Sequence, residues 1–207
     1  MEVIVLMEGT HNDKGPIEKK NIIKVIDPIC SSVILLKGEK NLLVDTGYYG
    51  FEDKLLNALK KQGLKPEEID IVVNTHRHFD HTANNHLFKK ASQISEMGFW
   101  FPKKRIDVYK SVEDIKLPGI KLIATPGHTK ESCSAIVESN KKTYVMSGDA
   151  VGEAVIKAGK EALQGDKEAY IKSAKKIFEI ADVIIPGHGK IIEGDLLKEL
   201  KKIVDKW

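Results

Sequence analysis

The stretch Thr75-His76-Arg77-His78-Phe79-Asp80-His81 places four candidate metal ligands within six residues, in the pattern His-x-His-x-Asp-His. It follows the apolar run 69–73, so we expect a loop at the end of a buried strand. Imidazole and carboxylate groups together suit zinc and similar first-row metals. The alternation of His76 and His78 lets two imidazoles converge on one ion, while Asp80 and His81 are offset so that they can turn toward a second ion. The stretch therefore predicts a metal site.

Three later segments have the same local form, with a potential ligand in a tight turn directly after a predicted strand. They are Pro126-Gly127-His128, Gly148-Asp149 and Pro186-Gly187-His188. Glycine beside each ligand allows a sharp turn and a close approach of the backbone. One such turn alone is more often structural than functional. If all of these strand ends share one edge of the sheets, however, seven ligands converge there.

Short apolar runs between turn signals predict strands, and helical spacing of apolar residues predicts helices. The predicted strands are Val3–Met7, Ile22–Ile26, Ser32–Lys37, Leu42–Asp45, Ile69–Asn74, Lys121–Thr125, Ser134–Val137, Thr143–Ser147 and Val183–Ile185. The predicted helices are Phe51–Gln62, Ala83–Lys90, Glu153–Leu163, Lys167–Ile180 and Leu196–Trp207. Residues 98–115 are the least regular and could form a loop over the site. Because strands flanked by helices occur in both halves, we predict an α/β protein with two sheets face to face and helices on their outer faces.

The composition is that of an ordinary globular protein of 207 residues, with a net charge of +3. This near-balance gives no argument for a nucleic-acid-binding arm or a membrane-binding patch. No apolar run approaches the roughly 20 residues that a membrane span requires, and residues 1–8 lack the features of a signal peptide. We expect Cys30 and Cys133 to be buried free thiols, and the protein to be cytoplasmic.

Taken together, these motifs resemble those of the metallo-β-lactamase fold superfamily, and within it the glyoxalase-II-like hydrolases. The resemblance covers nearly the whole chain and includes Leu43-Val44-Asp45-Thr46-Gly47, which is similar to the family's first motif. It implies a single domain over residues 1–207, folded as a four-layer αβ/βα sandwich with the metal site at one edge of the two sheets. It also implies a ligand set for each of two ions: His76, His78 and His128 for the first, Asp80, His81 and His188 for the second, and Asp149 as the bridge.

The resemblance further implies a metal-dependent hydrolase with two divalent ions, zinc as first choice and iron or manganese as alternatives. Two ions about 3.5–4 Å apart can share a water and lower its pKa, and the bridging hydroxide would attack an ester, thioester, lactone or phosphodiester. Asp80 would act either as a ligand alone or also as a proton shuttle. Asp45 matches a position that usually supports the site from behind the ligands.

Other members of this family set the alternatives. Because the stretch after His188 is short, we do not expect the helical substrate domain of glyoxalase II. Quorum-lactone hydrolases usually carry a tyrosine shortly after the bridging aspartate, whereas Asp149 is followed here by Ala150-Val151-Gly152-Glu153. A persulfide dioxygenase would hold one iron on His76, His78, His128 and Asp149. A nucleic-acid phosphodiesterase is disfavoured by the near-neutral charge. We expect a small-molecule substrate, no membrane or nucleic-acid partner, and allow a homodimer.

Overall fold

The strands and helices of the protein are taken from a computed structural model. It describes residues 1–10, 17–19, 22–24, 29–95, 98–101 and 105–207. In chain order the strands are β1 Glu2–Met7, β2 Ile17–Lys19, β3 Ile22–Lys24, β4 Val33–Lys37, β5 Asn41–Val44, β6 Ile71–Val73, β7 Ser92–Ser95, β8 Gly98–Phe101, β9 Arg105–Asp107, β10 Lys121–Ala124, β11 Cys133–Ser139, β12 Lys142–Gly148, β13 Val183–Pro186 and β14 Ile192–Glu193.

The helices are α1 Glu52–Lys61, α2 Phe79–Thr82, α3 Glu153–Ala158, α4 Lys167–Ile180 and α5 Gly194–Val204. Short 3₁₀ turns occur at Pro66–Glu68, Asn85–Leu87, Val112–Asp114 and Lys160–Ala162. Among the helices of the described ranges, none combines the length and the apolar composition that crossing a membrane requires.

Two mixed sheets form the centre of the fold. Within the described residues, the first sheet has the strand order β1-β4-β5-β6-β7-β8-β9 and the second the order β10-β11-β12-β13-β14, while β2 and β3 form a separate hairpin. The pairs β5–β6, β6–β7 and β12–β13 are parallel, and the other pairs are antiparallel. The carboxyl ends of parallel strands lie at the same edge of a sheet, so each sheet brings several loops together at one edge.

The side-chain alternation of the strands builds four layers. Ile34 and Leu36 of β4 face the core between the two sheets, whereas Val33 and Leu35 face the core under α1. In the second sheet, Val145 packs in the core under α3, α4 and α5. Alternate residues of a strand point to opposite faces, which explains why these strands are apolar on both sides. The order helix–sheet–sheet–helix that the sequence predicted is confirmed.

Backbone hydrogen bonds join the two sheets at the edge where the ligand-bearing turns meet. The Cys133 amide of the second sheet donates to the Thr75 carbonyl of the first at 2.8 Å, and the Ser32 amide donates to the Gly187 carbonyl at 2.7 Å. The Gly187 amide in turn donates to the Gly148 carbonyl at 2.8 Å. These bonds hold the loops after β6, β12 and β13 in one rigid group.

Several sequence predictions need correction. The predicted helix Ala83–Lys90 is wrong: the helical turn lies earlier, at Phe79–Thr82, inside the histidine motif, and is followed by a 3₁₀ turn. The predicted loop over the site, residues 98–115, is wrong for Gly98–Phe101 and Arg105–Asp107, which form β8 and β9 at the edge of the first sheet. The predicted strand Ile22–Ile26 is described only as far as Lys24. Cys30 and Cys133 are buried and are not joined in a disulfide, as predicted.

Candidate metal centre

The histidine motif is a rigid part of the fold. Its first residue, Thr75, follows β6, and the helical turn α2 carries Asp80 and His81. The His76 side chain is 2% exposed and His81 is fully buried. Both imidazoles are thus enclosed by protein on all sides except toward the edge of the sheets.

The first cluster of candidate ligands brings together four side chains from three loops: His76, His78, His128 and Asp149. Their ligand atoms all lie within 4.8 Å of one another. Nε2 of His128 lies 3.0 Å from Nδ1 of His78 and 3.3 Å from Oδ2 of Asp149. Nε2 of His76 lies 4.0 Å from the same Asp149 oxygen. These distances leave a small space surrounded by three nitrogens and one oxygen.

The second cluster contains Asp80, His81 and His188. Oδ2 of Asp80 lies 3.0 Å from Nε2 of His188 and 3.8 Å from Nε2 of His81. The other Asp149 oxygen, Oδ1, faces this cluster at 3.3 Å from His81 Nε2 and 3.6 Å from His188 Nε2. Asp149 therefore directs one oxygen to each cluster, which is the geometry of a bridging carboxylate.

Asp45 supports the motif from behind. Its Oδ1 accepts the Thr75 amide at 2.8 Å, and its Oδ2 accepts the Thr75 hydroxyl at 2.8 Å. The same Oδ2 lies 2.7 Å from Nδ1 of His81. Asp45 has a φ of 58°, in the left-handed region that short polar residues tolerate better than most. Because Asp45 occupies Nδ1 of His81, the ring is fixed with Nε2 toward the second cluster.

His188 is oriented in a comparable way by the main chain. Its Nδ1 lies 3.0 Å from the carbonyl oxygen of Thr10, and the Thr10 hydroxyl accepts the Cys30 amide. The adjacent Gly187 leaves room for the bridging carboxylate, because a Cβ there would overlap Oδ1 of Asp149 and come within 2.8 Å of Cε1 of His81. A side chain at position 187 is therefore incompatible with this placement of Asp149.

The electrostatics of His76, His128 and the two carboxylates, Asp80 and Asp149, favour the metal-binding forms of these side chains. Burial, reinforced by the neighbouring His81, lowers the pKa of His76 to about 2. Burial also lowers the pKa of His128. Burial alone would raise the pKa of Asp149, but the imidazoles around it hold that pKa far below its ordinary value. For Asp80 a hydrogen bond from His188 likewise outweighs burial and lowers the pKa. Neutral imidazoles and ionised carboxylates are the forms that bind a cation.

Burial opposes protonation of His81, yet Asp45 and Asp149 together raise its pKa well above the ordinary value. A similar balance raises the pKa of His188, through Asp80 and Asp149. In both rings Nδ1 is directed to a protein oxygen, Asp45 or the Thr10 carbonyl. The proton on Nδ1 is thus held by the protein, whereas the raised pKa favours a second proton on Nε2, which a cation bound at that atom would displace.

The donor set fits a divalent cation. Nε2 of His76, Nε2 of His81 and Oδ1 of Asp149 are buried and make no hydrogen bond. An unsatisfied buried polar group costs about 1–3 kcal/mol, so three of them side by side need a common partner. Nitrogen and carboxylate donors around one space suit zinc and, with less preference, iron or manganese.

A cavity of about 340 Å³ opens from the two clusters. Its polar end is formed by His78, Asp80, His128, Asp149 and His188, and its apolar wall includes Ile29, Val151, Val155, Ala162 and the ring of Tyr170. Pockets for small ligands usually measure about 300–1,000 Å³. The volume is thus at the low end of that range and suits a small substrate.

Some parts of this site carry no recognisable signal in the sequence. Tyr170 was not predicted as a site residue, because its spacing in α4 is that of an ordinary core residue. The roles of the Thr10 carbonyl and the Thr75 hydroxyl could not be predicted either, because no sequence motif indicates them. Each of the seven candidate ligands, in contrast, lies in one of the two clusters, and Asp45 lies behind them.

Comparisons with known proteins identify the family of the chain. Residues 26–188 match the model of the metallo-beta-lactamase superfamily. A Xenopus laevis protein named metallo-beta-lactamase domain-containing protein 1 is 34% identical over 197 residues, which cover 90% of this chain and 79% of that protein. An N-acyl homoserine lactonase from a Bacillus species is 30% identical over 108 residues, or 46% of this chain and 43% of the lactonase.

Among solved structures, a candidate metallo-beta-lactamase from Thermotoga maritima superposes with a TM-score of 0.70 at 19% identity, covering 93% of this chain and 99% of that one. At this identity the likeness shows the fold alone. The family match spans most of the chain and ends at His188 of the second cluster. The chain therefore belongs to the metallo-beta-lactamase superfamily.

Proposed function

We propose that this protein is a hydrolase with two divalent metal ions that cleaves a small, uncharged carbonyl compound: an ester, a thioester or a lactone. The observation that carries the proposal is the orientation of Asp149, whose two carboxylate oxygens face different histidine clusters at 3.3 Å from the nearest imidazole nitrogen of each. A carboxylate that bound only one ion would need to direct oxygen atoms to one cluster only.

In this proposal His76, His78 and His128 hold the first ion, Asp80, His81 and His188 hold the second, and Asp149 bridges them. Zinc is the first choice, with iron or manganese as alternatives. When bound, two such ions supply Lewis acidity and a nucleophilic water of lowered pKa.

The protein's own residues prepare this chemistry. Asp45 and the Thr10 carbonyl fix the rings of His81 and His188, so that the ligand geometry exists before substrate arrives. The Asp80 carboxylate is 23% exposed, lines the cavity and is ionised because His188 holds its pKa low. It is thus placed to accept a proton from the attacking water as well as to serve as a ligand.

The cavity favours a carbonyl substrate over a phosphodiester. Of the residues that the structure describes, none of those lining it is lysine or arginine, whereas sites for phosphates commonly use such cations. Val151, Val155 and Ala162 instead provide an apolar wall suited to a short acyl chain. The partial similarity to a homoserine lactonase is in keeping with this class of substrate.

The second cluster also argues against a mononuclear iron dioxygenase. Such an enzyme would bind its iron with His76, His78, His128 and Asp149 only. The second cluster, formed by Asp80, His81 and His188, would then bind no metal ion. Two of these three side chains are held in place by buried or main-chain contacts. A single domain over residues 1–207 is part of the proposal, since the core between the two sheets contains residues of both halves of the chain. A homodimer and a cytoplasmic location stay predictions.

A substrate panel with matched variants tests the proposal. The protein would be stripped with chelator, reloaded with zinc, iron or manganese, and assayed against acyl esters, thioesters, lactones and a phosphodiester. We expect metal-dependent hydrolysis of at least one carbonyl class, abolished by His128→Asn and unchanged by His86→Asn. His86 is exposed and lies outside both clusters, so it controls for the loss of an imidazole. Background rates on every carbonyl class with metal fully loaded would refute the proposal.

A further inference from the structure

The hydroxyl of Tyr170 is a buried polar group without a partner. Tyr170 is 3% exposed, its hydroxyl oxygen makes no hydrogen bond with any residue that the structure describes, and its side chain lines the cavity beside Asp149 and His128. Buried hydroxyls nearly always find a partner, because leaving one unsatisfied costs about 1–3 kcal/mol. An orphaned donor in the wall of a reaction cavity therefore needs a partner that arrives from outside.

Tyr170 is held firmly relative to the metal centre. Helix α4 packs its first turns on the loop that carries His128: the Asp166 amide donates to the Gly127 carbonyl at 2.9 Å, and the Ser173 hydroxyl donates to the Pro126 carbonyl at 2.7 Å. Gly127 approaches the Tyr170 backbone so closely that a Cβ at position 127 would overlap its Cα. The phenol is thus fixed to the same loop as one of the candidate ligands.

The hydroxyl is a donor under all ordinary conditions. Burial raises the pKa of Tyr170, and the negative charge of Asp149 raises it further. The proton is not given to that carboxylate, since the Tyr170 hydroxyl makes no hydrogen bond with any described residue. The neighbouring wall residues cannot replace the phenol: Val151 and Val155 are apolar, and Gln164 is solvent-exposed.

We propose that the Tyr170 hydroxyl donates a hydrogen bond to the carbonyl oxygen of the substrate and stabilises the negative charge that develops there during attack. This makes Tyr170 a catalytic residue of the proposed hydrolysis, on which the inference rests. The proton stays on the phenol throughout, so the contribution is electrostatic, as in an oxyanion hole. A hydrogen-bond donor that α4 already holds in place stabilises this developing charge most strongly in a cavity with apolar walls, because little water screens the interaction there.

The variant Tyr170→Phe tests this, because it removes the hydroxyl and keeps the ring. In the metal-loaded enzyme we expect kcat on the best ester, thioester or lactone to fall about 100- to 1,000-fold, as for other single oxyanion donors, with little change in KM. Metal content and unfolding temperature should match the wild type. Tyr144→Phe is the matched control, since Tyr144 packs against the core between the sheets, away from the cavity.

Binding of a tetrahedral mimic gives a readout that is independent of turnover. A short alkylphosphonate, titrated calorimetrically into the metal-loaded chains, should bind about 10-fold or more weakly to Tyr170→Phe than to the wild type or Tyr144→Phe. Unchanged kcat together with unchanged phosphonate affinity would overturn the inference and leave Tyr170 a packing residue. If the wild type hydrolysed no carbonyl substrate, the proposed function would fail, while the phosphonate titration would still decide whether Tyr170 is the donor.

Discussion

Replacing Asp45 by asparagine should weaken the second metal site selectively. Asp45 is 2% exposed and accepts three hydrogen bonds, two from Thr75 and one from Nδ1 of His81 at 2.7 Å. An amide has nearly the same shape as a carboxylate, but one of its two ends can only donate. In either orientation of the introduced amide group, at least one of the three donors would face another donor.

The size of the effect follows from these contacts. If the amide oxygen faces His81, the Thr75 amide loses its acceptor; if it is flipped, His81 must move its proton to Nε2, the atom that faces Asp80 and Asp149. Either result removes one hydrogen bond to a charged group, worth about 1.5–3 kcal/mol. That corresponds to about 10- to 100-fold in a dissociation constant, the range found for residues that orient metal-binding histidines.

Competition with a chromophoric chelator can resolve the two binding steps. For Asp45→Asn we expect the weaker step, assigned to Asp80, His81 and His188, to lose about 10- to 100-fold in affinity. The step assigned to His76, His78 and His128 should change little, because Asp45 reaches that cluster only through the Thr75 hydroxyl, 3.2 Å from Nδ1 of His76.

Asp182→Asn provides the matched control. Asp182 also accepts a backbone amide at 2.8 Å, from Thr143, but it is exposed and lies at the opposite end of β12 and β13. Its replacement should leave both affinities unchanged. Equal losses at both steps, or no loss at either, would show that Asp45 does not act through His81.

Three further predictions concern the bridge, the cavity and the core. Gly187→Ala should weaken metal binding about 10-fold or more, measured by chelator competition, because the added methyl overlaps Asp149. Gly38→Ala should leave metal binding unchanged, because its methyl makes its nearest contacts with Met1, at 3.3 Å or more. Val155→Phe should narrow the cavity and lower kcat/KM for a hexanoyl ester about 10-fold relative to an acetyl ester; an equal effect on both would contradict the assigned wall. Leu200→Ala should cost about 2–5 kcal/mol in urea unfolding and leave metal content unchanged.

The local part of this site was predictable from the sequence. A ligand in a glycine-containing turn after an apolar run marks the end of a strand, which is why His128, Asp149 and His188 could be identified separately. Amphipathic spacing likewise predicted α4 with its observed bounds, Lys167–Ile180, and α1 to within one residue at each end.

The parts that depend on distant contacts were not predictable. The local pattern at Asp149 indicates a ligand but not a bridge; the bridging role was expected only from the family resemblance, because the direction of its two oxygens follows from the packing of three loops. Tyr170 has the spacing of a core residue, and only the close approach of Gly127 places it at the cavity.

Three short elements were not predicted from the sequence for a different reason. β8 and β9 have four and three residues, too few to show alternation. The helical turn Phe79–Thr82 was hidden because its residues fit metal ligation rather than amphipathic spacing.

Native mass spectrometry of the chain, before and after removal of metal, tests the central claim most directly. The account predicts a mass difference of two divalent ions per chain, with one ion lost first in Asp45→Asn and both retained in Asp182→Asn. A chain that binds a single ion at saturating metal, with Asp80, His81 and His188 replaceable without effect on metal content, would contradict it.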